Sequence, residues 1–500
     1  MTHAAPPPAA PDARPVPPGA WKVLYLLIAI SMFNYIDRQV LSGVMPEIEK
    51  DPAFHLLGNP NAKLLKNLLG TAFLVSYMIT APLFGWLGDR MGRRWGLVGL
   101  AVIVWSLISG GSGLAISYSM LFATRCLIGV GEGAYGPVGM ALLTDVFPTS
   151  KRGFVIALVS ATIPMGSAIG FGIGTLVAAT LGWRWAFYLV VIPGIILGLT
   201  CYLMPEPKRG QSETADVATR PVGALEAIGL CVKIPSYMLA TLGYTAMTFV
   251  TGGIALVVID YVHERQGIYV INDEALTTIA ADQPLRDRLQ PLMGREFDGA
   301  DKFKAALRGV LPSDELGHRW GPLREASRSP NSPTLGPVGP IFGGITVIAG
   351  LLATLSGSFL AERLKKRIPS ADFLVSGIGA LFGLPFLVAF LFAPFPAAWV
   401  LLFFAVFGLF LNTGPVNTIL ANTTPPAIRS TAFAFNIFLL HALGDVPSPP
   451  LIGVVTDQFD WTTAFLGISA MVLVSALLWL WGARFLKRDE ERMPRLLANP

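Results

Sequence analysis

The chain has 500 residues and a formal charge of +5, with 53% of residues hydrophobic and only 14% charged. A soluble chain carries roughly 25% charged residues, so this one cannot cover a water-facing surface and must turn much of itself to lipid. Cys126, Cys201 and Cys231 are the only cysteines, which supports neither a disulfide framework nor a zinc cluster; no metal or cofactor is expected, and no basic face suggests nucleic acid.

Residues 1–19 are rich in Ala and Pro, a composition that cannot build a core, so a disordered cytoplasmic tail is expected there. No cleavage pattern precedes the first span, which reads as an uncleaved signal. Crossing ~30 Å of hydrocarbon takes about 20 mostly apolar residues, and six such runs lie at roughly 20–45, 66–88, 95–116, 119–146, 153–181 and 184–204. Pro205 to Arg220 is polar and Val222 to Lys233 weakly amphipathic, reading as a cytoplasmic linker over about 206–235 with an interfacial helix. Six more spans follow at roughly 236–262, 337–361, 372–394, 397–420, 430–456 and 461–486. Between the seventh and eighth stands a charged insertion over about 263–336. It is either an external cap with short helices, such as one around Lys302 to Val310, or a mobile loop. Residues from about 487 to 500 are expected to form a second cytoplasmic tail.

Charge placement tests this map. Arg90, Arg93 and Arg94 follow the second span, Lys151 and Arg152 the fourth, and Lys208 and Arg209 the sixth. Arg363, Lys365, Lys366 and Arg367 follow the eighth, Arg429 the tenth, and Arg484, Lys487 and Arg488 the twelfth. Every second connection is basic, which puts both termini in the cytoplasm of a cytoplasmic-type membrane. Gly88-Asp89-Arg90-Met91-Gly92-Arg93 after the second span echoes Ala361-Glu362-Arg363-Leu364-Lys365-Lys366 after the eighth. The expected fold is therefore all-α, twelve transmembrane helices in two pseudo-symmetric six-helix bundles of about 20–205 and 236–486, a standard transporter plan. The chain is expected to act as a monomer.

Gly85-Trp86-Leu87-Gly88-Asp89-Arg90-Met91-Gly92-Arg93-Arg94 resembles the signature that the major facilitator superfamily carries between its second and third spans. Arg125 to Gly133 in the fourth span and Gly166, Gly170, Gly172 and Gly174 in the fifth resemble two further signatures. Asn34-Tyr35-Ile36-Asp37-Arg38-Gln39, Gly131-Glu132-Gly133 and His441-Ala442-Leu443-Gly444-Asp445-Val446-Pro447-Ser448-Pro449 are similar to the Spinster branch. The resemblance covers nearly all spans but not the insertion. It implies the major facilitator fold, a lipid-like amphiphilic substrate such as a lysophospholipid or sphingosine-1-phosphate, and a conformational latch. The latch residues would be Gly85, Asp89, Arg93 and, at the end of the fourth span, Asp145.

An ionisable residue in hydrocarbon marks a pathway or a partner. Counting ~1.5 Å per residue puts Asp37 ~24 Å from the cytoplasmic side and Arg125 ~9 Å below the opposite face, at nearly the same depth. The two are expected to face each other, with Glu132 two turns further down the same stripe of the fourth helix. Arg125 would hold an anionic headgroup; Asp37 and Glu132 would couple protons, because burial and a neighbouring cation pull a carboxylate's proton affinity in opposite directions. Tyr35 and Arg38 are further substrate contacts, Arg38 being the neighbour expected to point elsewhere. A static salt bridge is the alternative.

His441 and Asp445, at i and i+4, either meet substrate and carry protons or brace the kink at Pro447, Pro449 and Pro450. Asn412 and Asn417 either line the cavity or bond between helices. Trp21, Trp183, Trp185 and Trp461 read as interfacial anchors. His263-Glu264 begins a zinc-protease string, but Gly267 stands where its second histidine belongs, and no P-loop occurs, so no catalytic residue is expected. The expected function is a proton-coupled, alternating-access carrier of an amphiphilic anionic lipid. The other reading keeps the mechanism but carries a small organic anion, sugar derivative or drug.

Overall fold

The computed structural model describes residues 16–56, 62–212, 222–279, 282–333 and 338–497. Most of the expected first tail, part of the linker and the last residues of the insertion lie outside the described residues. Among the described residues, twelve helices are long and apolar enough to cross a membrane. In chain order they are Ala20–Met45, Leu68–Arg90, Arg94–Ser112, Tyr118–Val146, Thr149–Ala178, Trp183–Leu203, Pro235–Ala255, Ile341–Lys365, Ala371–Phe392, Ala397–Thr423, Pro426–Thr456 and Trp461–Gly482. In hydrocarbon each backbone amide must be satisfied internally, which forces these apolar runs into helices. The twelve-span, two-bundle plan holds.

Several spans break, and three of them do so where the chemistry sits. The fourth divides into Tyr118–Glu132 and Tyr135–Val146, immediately after Glu132. The tenth divides at Leu411 and Asn412. In the eleventh, residues His441–Asp445 form a π-turn between Arg429–Leu440 and Ser448–Gln458. Pro447, Pro449 and Pro450 lack the N–H groups that α-helical bonding to the preceding turn would need, and the Val446 N–H donates instead to the His441 carbonyl at 3.2 Å. Such turns recur at functional sites. The seventh span makes room with Gly252, where a Cβ would stand 2.4 Å from the Asp445 Cβ.

Glycines set a close helix pair. A Cβ at Gly170 would lie 2.3 Å from the Ile36 carbonyl oxygen, and one at Gly166 2.7 Å from that of Met32. The fifth span therefore closes on the first backbone to backbone, as small residues permit in lipid.

The halves touch mainly at one end. There the second and fourth spans pack on the start of the eleventh, and the start of the fifth packs on the eighth and tenth. We call this the Asp89 end; the insertion lies at the other. A short helix, Leu486–Arg492, continues from the twelfth span with Leu486 and Asp489 buried, and Asp489 accepts bonds from the Ser236 N–H (3.0 Å) and hydroxyl (2.8 Å). This stretch is thus docked rather than a free tail.

The insertion folds as a cap. Strands β1 (Ile268–Val270) and β2 (Glu296–Asp298) pair antiparallel, Tyr269 opposite Phe297. Tyr269, Leu285, Leu289, Phe303 and Leu307 form a core of its own. Its helix Ala300–Arg308 is matched in charge to the helix ends beneath it. Asp301 accepts from the Trp461 and Thr462 amides (3.2 and 3.3 Å) at the start of the twelfth span. Lys304 donates to the Thr456 carbonyl (2.7 Å) and Arg308 to that of Phe459 (2.6 Å), where the eleventh ends. Acid at an N-terminus and base at a C-terminus satisfy orphan groups and complement the helix dipole.

Two expected interfacial tryptophans, one buried and one partly exposed, bond to carboxylates of the protein instead. Trp461 donates its indole N–H to Glu264 (2.8 Å), and Trp183, buried, donates to Asp51 (3.1 Å). An indole N–H with a carboxylate in reach forgoes the water interface. Trp21 and Trp185 remain exposed. Asp51 lies just beyond the first span. Burial alone would raise its carboxyl, but bonds from the Ala53 amide, Arg184 and Trp183 outweigh that and hold it below the usual carboxylate value. A lowered folded value stabilises the protein above the unfolded pKa of roughly 3.9 and loses that contribution as pH falls through the folded value. The melting temperature of Asp51→Asn should therefore lie below wild type at pH 6 and converge with it below about pH 3. Equal melting temperatures at pH 6 would remove Asp51 as a tie between the first and sixth spans.

Candidate functional site

Asp37, Arg125 and Glu132 are all buried, with 2%, 4% and 1% of their surfaces exposed. They do not form one ion-paired row. Asp37 accepts a bond from the Ser109 hydroxyl at 2.5 Å, and Arg125 donates to the Ser112 hydroxyl at 2.5 Å. Ser112 in turn donates to Thr124 at 2.9 Å. Asp37 and Arg125 lie in each other's field as expected, but their hydrogen bonds go to two serines, three residues apart on one face of the third span. Paired hydroxyls at that spacing in an apolar run were the available sequence signal.

Arg38 is the larger correction. It does not point away: its Nε and Nη2 both approach Glu132 Oε2 at 2.7 Å. Arg38 lies about 100° around the helix from Asp37, which aims it at another neighbour, and its long side chain reaches the fourth span. Rings surround its guanidinium, with centroids 5.2 Å (Tyr35), 4.8 Å (Phe73) and 5.1 Å (Tyr77) away. Cation–π attraction strengthens as such a partly buried guanidinium loses water.

One atom of each original trio is left over. Asp37 Oδ2, Arg125 Nε and Glu132 Oε1 are buried with no hydrogen-bond partner among the described residues. Buried polar atoms are nearly always satisfied, so two acceptors and a cationic donor stand available for a ligand group, water or proton. Asp37 also lies in the field of Glu132, Arg125 and Arg38.

Across the interface, His441 Nδ1 sits 2.9 Å from Asp445 Oδ1 on the π-turn. The His441 ring meets Tyr77 edge-on, centroids 5.5 Å apart. Asn412 and Asn417 spend their amide N–H groups on their own helix, on the Leu409 (2.5 Å) and Thr413 (2.8 Å) carbonyls. Asn412 Oδ1 stays buried and unpartnered among the described residues.

At the Asp89 end, Asp89 reaches from the first half onto the start of the eleventh helix. It accepts from the Ser430 amide (3.0 Å), the Thr431 amide (2.7 Å) and the Thr431 hydroxyl (2.6 Å). Gly85, one turn back, lets the helices touch: a Cβ there would lie 2.5 Å from that of Ala434. Asp145 is held between Arg94 (2.5 Å) and, across the halves, Arg429 (3.0 Å). Arg93 is not in this junction and donates to the Tyr202 carbonyl. The third helix begins at Arg94, and that first helical residue turns inward while Arg93 faces out. The opposite pair repeats the plan. Glu362 accepts the Phe154 amide at 2.6 Å, and Arg152 donates to Asn422 at 3.0 Å. The repeat after the eighth span was the signal for Glu362; Arg429 and Arg152 stood out only as basic residues of the connections, and Asn422 had no signal.

The major facilitator superfamily matches residues 27–280. The chain is 30% identical over 442 residues to protein spinster homolog 3 of Danio rerio, spanning 87% of this chain and 76% of that one. It is 30% identical over 455 residues to protein spinster homolog 1 of Homo sapiens, spanning 89% and 75%. Among solved structures, a bacterial homolog of the human lysosomal transporter Spinster, inward-facing and unoccupied, superposes with TM-score 0.53 at 18% identity, covering 94% of this chain and 98% of that one. The E. coli fucose:proton symporter FucP gives 0.62 at 13%, covering 94% and 99%.

Proposed function

The chain belongs to the Spinster branch of the major facilitator superfamily, and on that premise we propose that it carries an amphiphilic anion across the membrane by proton-coupled alternating access. The cargo is a lysophospholipid or a sphingoid phosphate such as sphingosine-1-phosphate. One observation carries this reading: the three leftover polar atoms on Asp37, Arg125 and Glu132, buried between helices. A guanidinium with a free donor suits phosphate, while carboxylates with a free oxygen suit protons.

The protein sits as a monomer in a cytoplasmic-type membrane, both termini inside, with the basic Asp89 end cytoplasmic by the positive-inside rule. The closed junction there then makes this the outward-facing state. Arg125 and Arg38 take the phosphate, with Tyr35, Asn412, Asn417 and His441 along the cavity. Asp37, Glu132 and Asp445 exchange protons, and the Asp89 and Asp145 junctions latch the cytoplasmic side. A lipid chain gains access beside the eleventh span, whose outer stretch Ser448–Gln458 packs on the seventh and twelfth, turned from the second.

The test is reconstitution into vesicles with an imposed pH gradient, offering labelled lysophospholipid and labelled sugar. Lysophospholipid uptake that follows the gradient is the expected result. Sugar uptake without lysophospholipid uptake would overturn the cargo; lysophospholipid exchange indifferent to the gradient would overturn the coupling.

A further inference from the structure

The second and eleventh spans run antiparallel and touch along a ladder that starts at the Asp89 end. Asp89 takes the amides of Ser430 and Thr431. Four residues back on the second span and four forward on the eleventh, Gly85 meets Ala434. Further up, Gly136 of the fourth span fits between the Tyr77 hydroxyl (2.9 Å from a Cβ placed there) and Ile437 (3.6 Å). Two turns above Gly85, Tyr77 meets His441 at 5.5 Å. That rung differs from the rest, because the Tyr77 ring also stands 5.1 Å from the Arg38 guanidinium, which holds Glu132 at 2.7 Å.

Tyr77 is fixed from several sides. It is 6% exposed and stacks on Phe73 at 5.9 Å and 19°. Gly129 lets the fourth span press on its backbone, a Cβ there falling 2.9 Å from the Tyr77 amide nitrogen. A ring so confined has few places to go when its neighbour leaves. Rocking apart at the Asp89 end unzips the ladder and withdraws the His441 ring from one side of Tyr77, while Arg38 stays on the other. Coupling between distant sites needs an element that has two arrangements and that both sites bias; this ring touches both.

We infer that Tyr77 is a positioning residue: its ring carries the open or closed state of the second–eleventh junction to the Arg38–Glu132 ion pair. When the junction is closed, His441 presses the ring toward Arg38 and the pair is held; when it opens, the cage relaxes and Arg38 is released from Glu132. This deepens the carrier reading and rests on it only for the identity of the cargo.

The decisive test needs no cargo. In the full chain labelled with 15N-arginine, the Arg38 Nε–H resonance is assigned by its loss in Arg38→Lys. Asp89→Asn, which breaks the bottom rung, should move that resonance. Tyr77→Leu should move it to a similar position, and the double variant should add nothing further. Tyr77→Phe, which keeps the ring but drops the hydroxyl that also meets Arg38, should move it clearly less than Tyr77→Leu does. A resonance indifferent to Asp89→Asn, or one that Asp89→Asn moves equally in the Tyr77→Leu background, overturns the inference. If Tyr77→Leu does not fold, His441→Leu removes the same rung from the other side and must reproduce its shift.

Exchange of labelled lysophospholipid supplies the functional arm. Tyr77→Leu should raise the exchange KM by about tenfold, the order expected for a partly buried cation–π contact, with Tyr77→Phe within about threefold of wild type. A wild-type KM in Tyr77→Leu also overturns the inference. Should the wild-type protein exchange no lysophospholipid while the resonance behaves as expected, the cargo reading fails and the positioning role stands.

Discussion

Arg125→Ala should weaken binding of an anionic lysolipid by about a hundredfold, the upper range for a charge-assisted hydrogen bond made in a buried site. The fold should survive. Among the described residues Arg125 has one hydrogen bond, to Ser112, and Ser112 keeps Thr124 as a partner when the guanidinium is removed. Asp37 likewise keeps Ser109. Arg125→Lys is expected to recover only part of the affinity, since a point charge cannot supply two parallel donors to a phosphate. The measurement is a dissociation constant for labelled lysolipid on purified protein that stays monodisperse. Wild-type affinity in Arg125→Ala would take Arg125 out of the site. The carboxylates should separate from it: Asp37→Asn and Glu132→Gln lose gradient-driven uptake but keep exchange. Full driven uptake in both would refute their part in coupling.

The twelve spans were legible because hydrocarbon admits so few chain conformations, and a lone charge inside an apolar run shows in any hydropathy reading. Asp37, Arg125 and Glu132 stood out for that reason. Partner choice did not. Whether Glu132 pairs with Arg125 on its own helix or Arg38 on another depends on helix azimuth and the reach of a four-bond side chain. Arg93 and Arg94 differ in sequence by one step, yet the helix start at Arg94 decides which of them reaches Asp145. The π-turn at His441–Asp445 was half visible: its prolines announced a kink, but the amide geometry that turns His441 toward Tyr77 exists only in the packed helix. The cap was least legible. Its mixed charges look like solvated loop until Asp301, Lys304 and Arg308 are seen to match helix ends brought beside them by folding.

Asp89→Asn should shift the conformational balance toward opening at the Asp89 end, and the reason lies in what Asp89 touches. Its carboxylate pairs loosely with Arg209, whose Nη1 is 3.6 Å away in its own half, whereas two amides and a hydroxyl at the start of the eleventh helix lie within 3.0 Å. The contact therefore draws on the partial positive charge of a helix N-terminus, reinforced by hydrogen bonds to an anion. Asparagine keeps the shape but drops the charge and one acceptor, a loss of about 2 kcal/mol, which is a shift of roughly thirtyfold in a two-state population. Spin labels at the exposed Arg90 and Lys366, one on each half at this end, would read it as a longer distance gaining weight. Arg429→Ala should act in the same direction by freeing Asp145 from the second half. If the basic residues of this loop served only to orient the chain in the membrane, Asp89→Asn would leave the distance distribution untouched, because it removes no positive charge. The two accounts thus differ in whether any shift occurs at all. Asp89→Glu sharpens the contrast, since it preserves the charge but adds a methylene between two helices already in contact at Gly85. It should fail to restore the closed state fully, which a purely electrostatic attraction would not predict.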